Sequence, residues 1–289
     1  MNRLMIFGLG YTGRRMGLRI LERGWHVTGT RTTEARTSEL RDEGFAGAVF
    51  DGTRASAEVG EALRRATHVL STIAPAEAGD PVLRHHRRDL EQAPELRMMA
   101  YLSTTGVYGD RGGGTVDESA EPRPGTDRSR RRVVAESAWQ ALAEGRETPL
   151  QIFRLAGIYG PGRSVLDRLR DGSAKRIMGR GLVFNRIHVA DIVGAVIAGM
   201  DQGGPSGVFN LSDDEPAPPA AVVEYGAKLL GIDPPRAVAL DEAGLSSTAR
   251  SFYEENKRVS NHRLKADLGY RLTYPTYREG LEAIAATEG

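Results

Sequence analysis

The chain of 289 residues contains no cysteine. This absence excludes disulfides, zinc–thiolate sites, iron–sulfur clusters and a cysteine nucleophile. Long hydrophobic runs are also missing, since no apolar stretch approaches the roughly 20 residues that a membrane-spanning helix needs. The first residues enter an apolar strand directly, without the pattern of a signal peptide. We therefore expect a soluble, cytoplasmic protein that has no membrane partner.

An excess of one charge sign is absent as well. The 39 basic and 38 acidic residues give a net charge of +1, whereas nucleic-acid-binding proteins usually carry a strong basic bias. The arginines of segment 128–132 spread around a helix axis, which favours a solvated face and one cofactor contact. His85 and His86 are adjacent rather than four residues apart, which argues against a metal site. We predict neither a nucleic-acid partner nor a bound metal.

The first half of the chain alternates short apolar runs with segments of helical period. Predicted strands cover 4–7, 25–30, 48–50, 68–73 and 98–103, and predicted helices cover 11–22, 34–43, 57–65, 81–93 and 129–143. Strands separated by helices in this way imply βαβ units and a doubly wound parallel sheet. Segments 150–155 and 208–211 predict later strands of that sheet, and 220–230 and 278–286 predict helices beyond it.

These elements predict an α/β fold, a Rossmann-like doubly wound parallel sheet with a small C-terminal substrate-binding part. The dinucleotide-binding domain should cover 1–160, with returns near 182–212. The smaller substrate-binding region should come from 161–181 and 213–289, where proline clusters mark a less regular chain.

A glycine motif follows the first predicted strand and opens the first helix. It consists of Gly8, Gly10 and Gly13, with Tyr11 and Thr12 between the last two glycines. Glycines at this spacing allow a tight turn, the close approach of a pyrophosphate and the packing of helix on strand. The helix N-terminus then offers N–H groups to the phosphates. The position of the motif favours a dinucleotide site over an ordinary glycine turn.

The end of the second predicted strand indicates which dinucleotide binds. An NAD enzyme usually has an acidic residue there for the ribose 2′-hydroxyl. This chain has Thr30 and Arg31, with Arg36 further along. Arginine suits a bidentate grip on a 2′-phosphate, to which threonine hydroxyls can also donate. We predict NADP as the cofactor, with NAD as the open alternative and a solvated surface arginine as the competing interpretation.

Four further blocks show a resemblance to a known family. They are Tyr-Leu-Ser-Thr-Thr-Gly-Val-Tyr-Gly-Asp from residue 101, Phe-Arg-Leu-Ala-Gly-Ile-Tyr-Gly-Pro-Gly from 153, Asn-Arg-Ile-His-Val-Ala-Asp-Ile from 185 and Val-Phe-Asn-Leu-Ser-Asp from 208. Their order and spacing resemble the extended short-chain dehydrogenase/reductase superfamily, of the NAD(P)-dependent epimerase/dehydratase type. The likeness covers about residues 3 to 230 and is closest to atypical members.

The resemblance implies roles for several residues. Thr104 would be the serine or threonine whose hydroxyl binds the substrate oxygen, and His188 and Asp191 would belong to a structural block. Contacts to the cofactor would come from the residues after the third and fourth strands and from the later block, namely Asp51, Gly52, Thr72, Ile73, Ala74, Leu155 and Ala156.

The catalytic pair of this superfamily, Tyr-x-x-x-Lys, is missing. The alignment places Arg128 at the tyrosine position and Arg132 at the lysine position. No tyrosine lies between Tyr108 and Tyr159, and no lysine precedes residue 175. Arg132 could still hold the cofactor ribose and supply positive charge, but arginine cannot donate the proton because its pKa is above about 12.

Other residues are candidates for the missing functions. Tyr108 and Tyr159 lie in family blocks, and either phenol could act as the catalytic acid, although packing roles compete with this interpretation. Tyr253 and Lys257 form a literal Tyr-x-x-x-Lys outside the expected position. We interpret that segment, together with Arg250, as a polar cationic surface for an anionic substrate.

Two functions follow from these residues. The first is an NAD(P)-dependent oxidoreductase or epimerase/dehydratase-like enzyme with a small polar, sugar-like or anionic substrate. The second is an inert NADP(H)-binding sensor or regulatory module that has lost the chemistry. The retained Thr104 block favours the enzyme, whereas the lost pair favours the sensor. The partner is a small-molecule substrate, and a homodimer stays open.

Overall fold

The computed structural model describes residues 1–179, 181–201 and 203–288. Residue 180 of the predicted segment 161–181 and residue 202 of the predicted segment 182–212 lie outside the described residues. Residue 289 lies outside them as well. The strands are β1 (Arg3–Phe7), β2 (His26–Arg31), β3 (Ala46–Val49), β4 (His68–Ser71), β5 (Met98–Thr104), β6 (Thr115–Val116), β7 (Leu150–Leu155), β8 (Gly157–Tyr159), β9 (Arg176–Ile177), β10 (Arg186–His188), β11 (Gly207–Leu211), β12 (Ala237–Val238) and β13 (Arg258–Val259).

The helices follow the same chain order. They are α1 (Tyr11–Leu21), α2 (Glu34–Asp42), α3 (Ala57–Arg65), α4 (Pro81–Glu91), α5 (Asp127–Arg146), α6 (Val165–Arg170), α7 (Val189–Asp201), α8 (Pro219–Leu230), α9 (Ser247–Ser251), α10 (His262–Ala266) and α11 (Tyr277–Glu288). Short 3₁₀ turns cover Thr105–Tyr108 and Phe252–Glu254.

A parallel sheet of seven strands confirms the predicted fold class. Its strand order is β11-β7-β5-β4-β1-β2-β3. The chain proceeds from β1 to β2 and β3 on one side and then returns to β4 on the other side of β1. In doubly wound sheets, ligands bind at the carboxyl ends of the strands next to this reversal. The loop after β1 occupies that position here.

The chain divides into two compact units. Unit 1 comprises Met1–Thr104, Asp127–Arg154 and Val193–Phe209. Its core packs β1, β4 and β5 against helices α3, α4 and α5, and Trp139, Tyr101 and Phe7 are among its fully buried side chains. Local signals explain the helix ends. Asp80 caps α4 by accepting hydrogen bonds from two backbone N–H groups, and Pro81 occupies the first helical turn.

Unit 2 comprises Thr105–Thr126, Leu155–Ile192 and Asn210–Gly289. Segments 105–126 and 155–160, which the sequence analysis assigned to the dinucleotide-binding domain, group with this unit. Its core is formed by α6, α8 and α11 together with the ring of Tyr159. Short parallel pairs complete it, namely β8 with β10, β9 with β12 and β6 with β13. Strands of two or three residues show no alternation that a sequence pattern could reveal.

Across the part of the chain that the structure describes, no helix is long and apolar enough to cross a membrane.

Candidate cofactor site and active-site residues

The loop between β1 and α1 requires glycine at two positions. Gly8 has a φ of +90°, and a Cβ atom built there would lie 2.7 Å from the Thr72 hydroxyl oxygen. A Cβ atom on Gly13 would lie 2.2 Å from the carbonyl oxygen of Gly8. The first glycine therefore makes the turn, and the last allows the helix to start directly against it.

Gly10 faces open space instead. A Cβ atom there would have no heavy atom within 4 Å. Gly10 is the N-cap of α1, no side chain caps the helix there, and its first turn, which includes Tyr11 and Thr12, has no acidic residue. A helix N-terminus of this kind attracts anions through its N–H groups and its dipole. The loop geometry fits the pyrophosphate of a dinucleotide.

Two threonines brace this loop. The Thr72 hydroxyl lies 2.6 Å from the carbonyl oxygen of Gly8, and the Thr30 hydroxyl accepts a hydrogen bond of 2.8 Å from the Gly8 N–H. Thr30 is fully buried. Its hydroxyl therefore holds the backbone of the glycine loop from inside the protein. This role replaces the contact with a 2′-phosphate that we predicted from the sequence.

Arg31 lies at the carboxyl end of β2, where the sequence predicted recognition of a 2′-phosphate. It is half-buried, and its Nε atom is buried without a hydrogen-bond partner among the described residues. An unused guanidinium donor at this place fits a phosphate oxygen. Arg36 is exposed in the first turn of α2, where its backbone N–H donates to the capping hydroxyl of Thr33 at 3.4 Å.

The predicted adenine contacts follow β3. The Asp51 carboxylate accepts hydrogen bonds from the N–H and the hydroxyl of Thr53, at 2.9 and 2.7 Å. These bonds hold the pKa of Asp51 below its usual value, so the exposed side chain is ionised at neutral pH. Gly52 follows with a φ of +83°, which favours glycine.

Arg132 on α5 has an internal role that the sequence analysis missed. Its Nη1 atom donates to the Leu102 carbonyl at 2.7 Å and to the Tyr101 hydroxyl at 2.9 Å. The same atom lies 3.4 Å from the Ile73 carbonyl oxygen, and the next residue, Ala74, is exposed. Arg132 therefore joins the carboxyl ends of β4 and β5. Its predicted role toward the cofactor ribose stays a prediction.

A buried ion pair lies one helical turn further along α5. The Arg154 Nη2 atom is 2.7 Å from the Glu136 carboxylate, and the two side chains are 6% and 5% exposed. Ser103 donates a hydrogen bond to the same carboxylate. Arg132 and Glu136 thus both hold the end of β5, immediately before the half-exposed Thr104. The quoted sequence blocks contain Arg154, but only the fold reveals its partner.

Neither candidate tyrosine is placed to act as an acid. Tyr108 is fully buried, and its hydroxyl donates to the Asn210 side chain at 2.7 Å. Tyr159 packs so closely on α11 that a Cβ atom on Gly280 would lie 2.1 Å from its hydroxyl. That hydroxyl is 3.3 Å from the Thr276 carbonyl oxygen, and burial raises the pKa of Tyr159. Both phenols belong to the packing of unit 2, which corrects the catalytic role that we predicted from the sequence.

The predicted substrate-binding segment is divided between different environments. Lys257 is buried, and its Nζ atom contacts the Gly109 carbonyl at 2.9 Å and the Glu255 carboxylate at 2.5 Å. The Lys257 ammonium group is therefore hydrogen-bonded and paired inside unit 2. This corrects its predicted contact with a substrate. Arg250 is exposed and Tyr253 is half-buried.

The block around His188 and Asp191 has the structural role that the resemblance implied. The Asp191 carboxylate accepts from the backbone N–H groups of Thr273 and Tyr274, at 2.6 and 3.1 Å, and from the Tyr270 hydroxyl at 3.0 Å. The centres of the His188 and Tyr274 rings are 4.1 Å apart, with the ring planes tilted by 58°. Both residues thus anchor the chain before α11.

Unit 2 also contains a buried carboxyl group that the sequence analysis missed. Asp213 is 2% exposed, and burial raises its pKa to about 8. Its Oδ2 atom has no hydrogen-bond partner among the described residues. The nearby Arg186 guanidinium is held by the carbonyl oxygens of Phe184 and Ala217, at 2.9 and 3.2 Å. Within the described ranges, no cluster of three or more possible metal ligands occurs.

Comparison with known proteins places the chain among relatives of full length. No family model matches it. A functionally unknown conserved protein from Silicibacter pomeroyi DSS has 42% identity and a TM-score of 0.89, over 100% of this chain and 99% of that one. Protein YeeZ of Escherichia coli K12 is 28% identical over 95% of this chain and 97% of its own length.

Other relatives carry activities in their names. The 3-diazoavenalumate denitrifying reductase of a Streptomyces species is 30% identical over 164 residues, about half of either chain. The UDP-glucuronic acid 4-epimerase of Bacillus cereus, solved in complex with NAD, shares the fold with a TM-score of 0.75 at 17% identity, over 98% of this chain and 97% of that one. The chain therefore shares the fold of an epimerase and of a dehydratase, dTDP-glucose 4,6-dehydratase from Bacillus anthracis, that were both solved with NAD.

The shared fold agrees with the resemblance drawn from the four sequence blocks. The protein has the glycine loop, the Thr104 block and the anchoring block around Asp191 on which that resemblance rests. It lacks the tyrosine and the lysine of the usual catalytic pair.

Proposed function

We propose that the protein is an NADP(H)-dependent oxidoreductase that acts on a hydroxyl or carbonyl group of a small anionic substrate. The observation that carries the proposal is the pair formed by the open, uncapped turn at Gly10 and the unused buried donor of Arg31. The first fits a pyrophosphate and the second fits a 2′-phosphate. Relatives solved with NAD and a relative named as a reductase support this general kind of activity.

The residues of unit 1 would divide the work between binding and positioning. Gly8, Gly10 and Gly13 would hold the pyrophosphate, and Arg31 would hold the 2′-phosphate. A bound nicotinamide would supply or accept a hydride. Thr104 would hydrogen-bond the reacting oxygen of the substrate, and Arg132 and Glu136 hold the two residues just before it.

The proton must come from a source other than the usual tyrosine. Tyr108 and Tyr159 are buried and already hydrogen-bonded. Arginine does not release its proton at working pH. We therefore assign the proton to a solvent water that reaches the substrate oxygen beside Thr104, since that side chain is half-exposed.

Calorimetric titration of NADPH and NADH tests the cofactor assignment. We expect wild type to prefer NADPH, and Arg31→Ala to lose about 1.5–3 kcal/mol of NADPH affinity, the contribution of a charged hydrogen bond, with little change for NADH. Arg64→Ala is the matched control, because Arg64 is an exposed arginine paired with Glu61 on the surface. Equal losses for both cofactors in Arg31→Ala would contradict the assignment.

A screen for activity tests the chemistry. Carbonyl and hydroxyl compounds with an acidic group are incubated with the protein and NADPH or NADP⁺, and the nicotinamide absorbance is followed. We expect turnover that falls by two orders of magnitude or more in Thr104→Val, which keeps the side-chain shape but removes the hydroxyl. NADPH binding should stay unchanged in this variant.

A cofactor-binding sensor is the second candidate, favoured by the absence of the Tyr-Lys pair and by the burial of both alternative phenols. Such a protein would bind NADPH as tightly as the enzyme would, yet show no turnover with any compound of the screen. Limited proteolysis with and without NADPH would then show a change in the protected fragments, because a sensor must respond to its ligand.

A further inference from the structure

Three arginines lie on α1, the helix that follows the glycine loop, and two of them are paired with glutamates. The Arg14 Nε atom is 2.6 Å from the Glu43 carboxylate, and the Arg19 Nη1 atom is 2.7 Å from the Glu22 carboxylate. Both pairs are at least partly exposed to solvent, and surface pairs of this kind contribute little to stability. The guanidinium of Arg15 lies in a different environment.

The Arg15 side chain extends back toward the start of α1. Its guanidinium carbon lies 3.8 Å from the centre of the Tyr11 ring, and its Nη1 atom donates to the Tyr11 carbonyl oxygen at 3.1 Å. Long side chains on a helix point toward its N-terminus, which explains this direction. Tyr11 is the first residue of α1 and follows Gly10 directly. The positive charge of Arg15 is thus held against the residue that follows the uncapped turn.

An aromatic face and a carbonyl oxygen together restrict the Arg15 guanidinium. Arginine packs on the faces of aromatic rings through cation–π attraction. Both Tyr11 and Arg15 are half-buried, so the two side chains remain partly open to solvent. A guanidinium carries its N–H donors in a planar fork, a geometry that suits phosphate oxygens. We call these two residues the Tyr11–Arg15 pair.

The charge at the start of α1 favours an anion with more than one negative charge. The first turn of the helix has no acidic residue. The helix dipole supplies only about half of a positive charge at this end, whereas each phosphate of a pyrophosphate bridge carries a negative charge. Arg15 lies outside the glycine motif, whose own donors are backbone N–H groups. Its guanidinium adds a full positive charge beside them.

We infer that Arg15 binds the pyrophosphate of the dinucleotide and that Tyr11 is the positioning residue that holds the Arg15 guanidinium. The inference rests on the proposed function, because it assigns a second arginine to the same cofactor. The two arginines would have separate tasks. Arg31 would bind the 2′-phosphate, which NAD lacks, and Arg15 would bind the pyrophosphate, which NADP and NAD share.

Calorimetric titrations of the full chain with NADPH, NADH and ADP test the inference. All three probes contain two linked phosphates, but only NADPH has a 2′-phosphate. Arg15→Gln should weaken the binding of each probe by about tenfold or more, because a charged hydrogen bond is lost. Arg31→Ala should weaken the binding of NADPH alone. Arg15→Lys should recover part of the loss, since lysine keeps the charge without the planar fork.

Matched variants separate this contact from a general attraction of anions. Arg14→Gln is the control for charge, because Arg14 is the neighbouring arginine of the same helix and is paired with Glu43. It should bind all three probes within about twofold of wild type. Tyr11→Leu should weaken the three probes by about threefold through loss of the ring face, whereas Tyr11→Phe keeps that face and should bind like wild type. Urea unfolding verifies that each variant folds.

Unchanged affinity of Arg15→Gln for NADPH and NADH would overturn the inference and leave the cofactor assignment intact. Equal losses in Arg14→Gln and Arg15→Gln would overturn it as well, since they would show a general attraction of anions. A loss for NADPH alone would contradict it by assigning Arg15 to the 2′-phosphate. If wild type binds neither dinucleotide but binds ADP through Arg15, the proposed oxidoreductase is wrong and the inference stands. If wild type binds none of the three probes, both are wrong.

Discussion

Replacing Asp213 by asparagine should stabilise the protein, and more so as the pH rises. The carboxyl group is buried within unit 2, and its Oδ2 atom has no hydrogen-bond partner among the described residues. Asparagine keeps the shape of the side chain and can still accept the hydrogen bond of 3.3 Å from the Glu215 N–H. It removes the group whose ionisation in the folded state is unfavourable.

The magnitude follows from the two pKa values. In the unfolded chain the pKa of Asp213 lies near the usual aspartate value of 3.8, whereas burial raises its pKa in the folded protein to about 8. Between these values the folded state binds more protons, so this group lowers the free energy of unfolding by about 1.4 kcal/mol per pH unit as the pH rises. The accumulated difference above pH 8 is about 6 kcal/mol. An unpartnered amide N–H in the variant offsets about 1–3 kcal/mol of this gain.

Urea unfolding of wild type and Asp213→Asn at about pH 5, 7 and 9 measures the effect. Far-ultraviolet circular dichroism reports on both units. Tryptophan fluorescence reports on unit 1 alone, because Trp25 and Trp139 both lie there. If the two units unfold separately, dichroism shows a transition of unit 2 that fluorescence does not detect. The urea midpoint of that transition should shift in the variant. Asp233→Asn is the control, since Asp233 is an exposed carboxylate, and its difference from wild type should not change with pH.

The test is how the difference in free energy of unfolding between Asp213→Asn and wild type changes with pH. A difference that is the same at every pH reflects only the contacts of the asparagine itself. We expect the difference to grow between about pH 5 and 8 and to level off above pH 8. A difference that stays the same at all three pH values would refute the reasoning. Asp213 would then be ionised in the folded protein throughout, with its charge neutralised by Arg186.

Three further predictions concern unit 1. Gly10→Ala should leave the free energy of unfolding within about 0.5 kcal/mol of wild type, since its Cβ atom meets no neighbour, but it should weaken NADPH binding measured by calorimetry; normal binding would place the pyrophosphate elsewhere. Glu136→Gln should destabilise the protein by about 3–5 kcal/mol in urea unfolding, because it removes the charge that pairs with the buried Arg154 guanidinium; a loss below about 1 kcal/mol would show that the pair is hydrated. Arg132→Ala should weaken NADPH binding by about 1–3 kcal/mol and also lower stability, whereas Arg132→Lys should recover part of both; unchanged binding in Arg132→Ala would remove Arg132 from the cofactor site.

The sequence predicted the features that depend on local pattern. The strands of the parallel sheet, the helices between them and the glycine loop after β1 lie where periodicity and glycine spacing placed them. Short strands such as β8 and β10 were not predicted, since two or three residues contain no periodic signal. Their pairing depends on contacts between distant segments.

The roles of single polar residues depended on burial, which one sequence does not show. Tyr108, Tyr159 and Lys257 looked available because their residue types suit catalysis or anion binding. In the folded chain each side chain is buried, and its polar atom is hydrogen-bonded to a residue more than 100 positions away in sequence. Arg132 shows the complementary case, because its position on α5 was predicted but its three contacts at the ends of β4 and β5 were not.

Asn256 gives the protein a built-in order of assembly. Its side chain accepts from the Val183 N–H at 3.2 Å and donates to the Gly181 carbonyl at 2.9 Å, while its own carbonyl accepts from the Arg111 N–H at 3.0 Å. The segments around Arg111 and around residues 181–183 are synthesised earlier, and these hydrogen bonds can connect them only after residue 256 has been synthesised. The last segment of unit 1 ends at Phe209, so unit 1 can fold during synthesis before the last part of unit 2 has been made. A nascent chain arrested before Asn256 would contain the formed parallel sheet of unit 1, followed in sequence by a protease-sensitive second part.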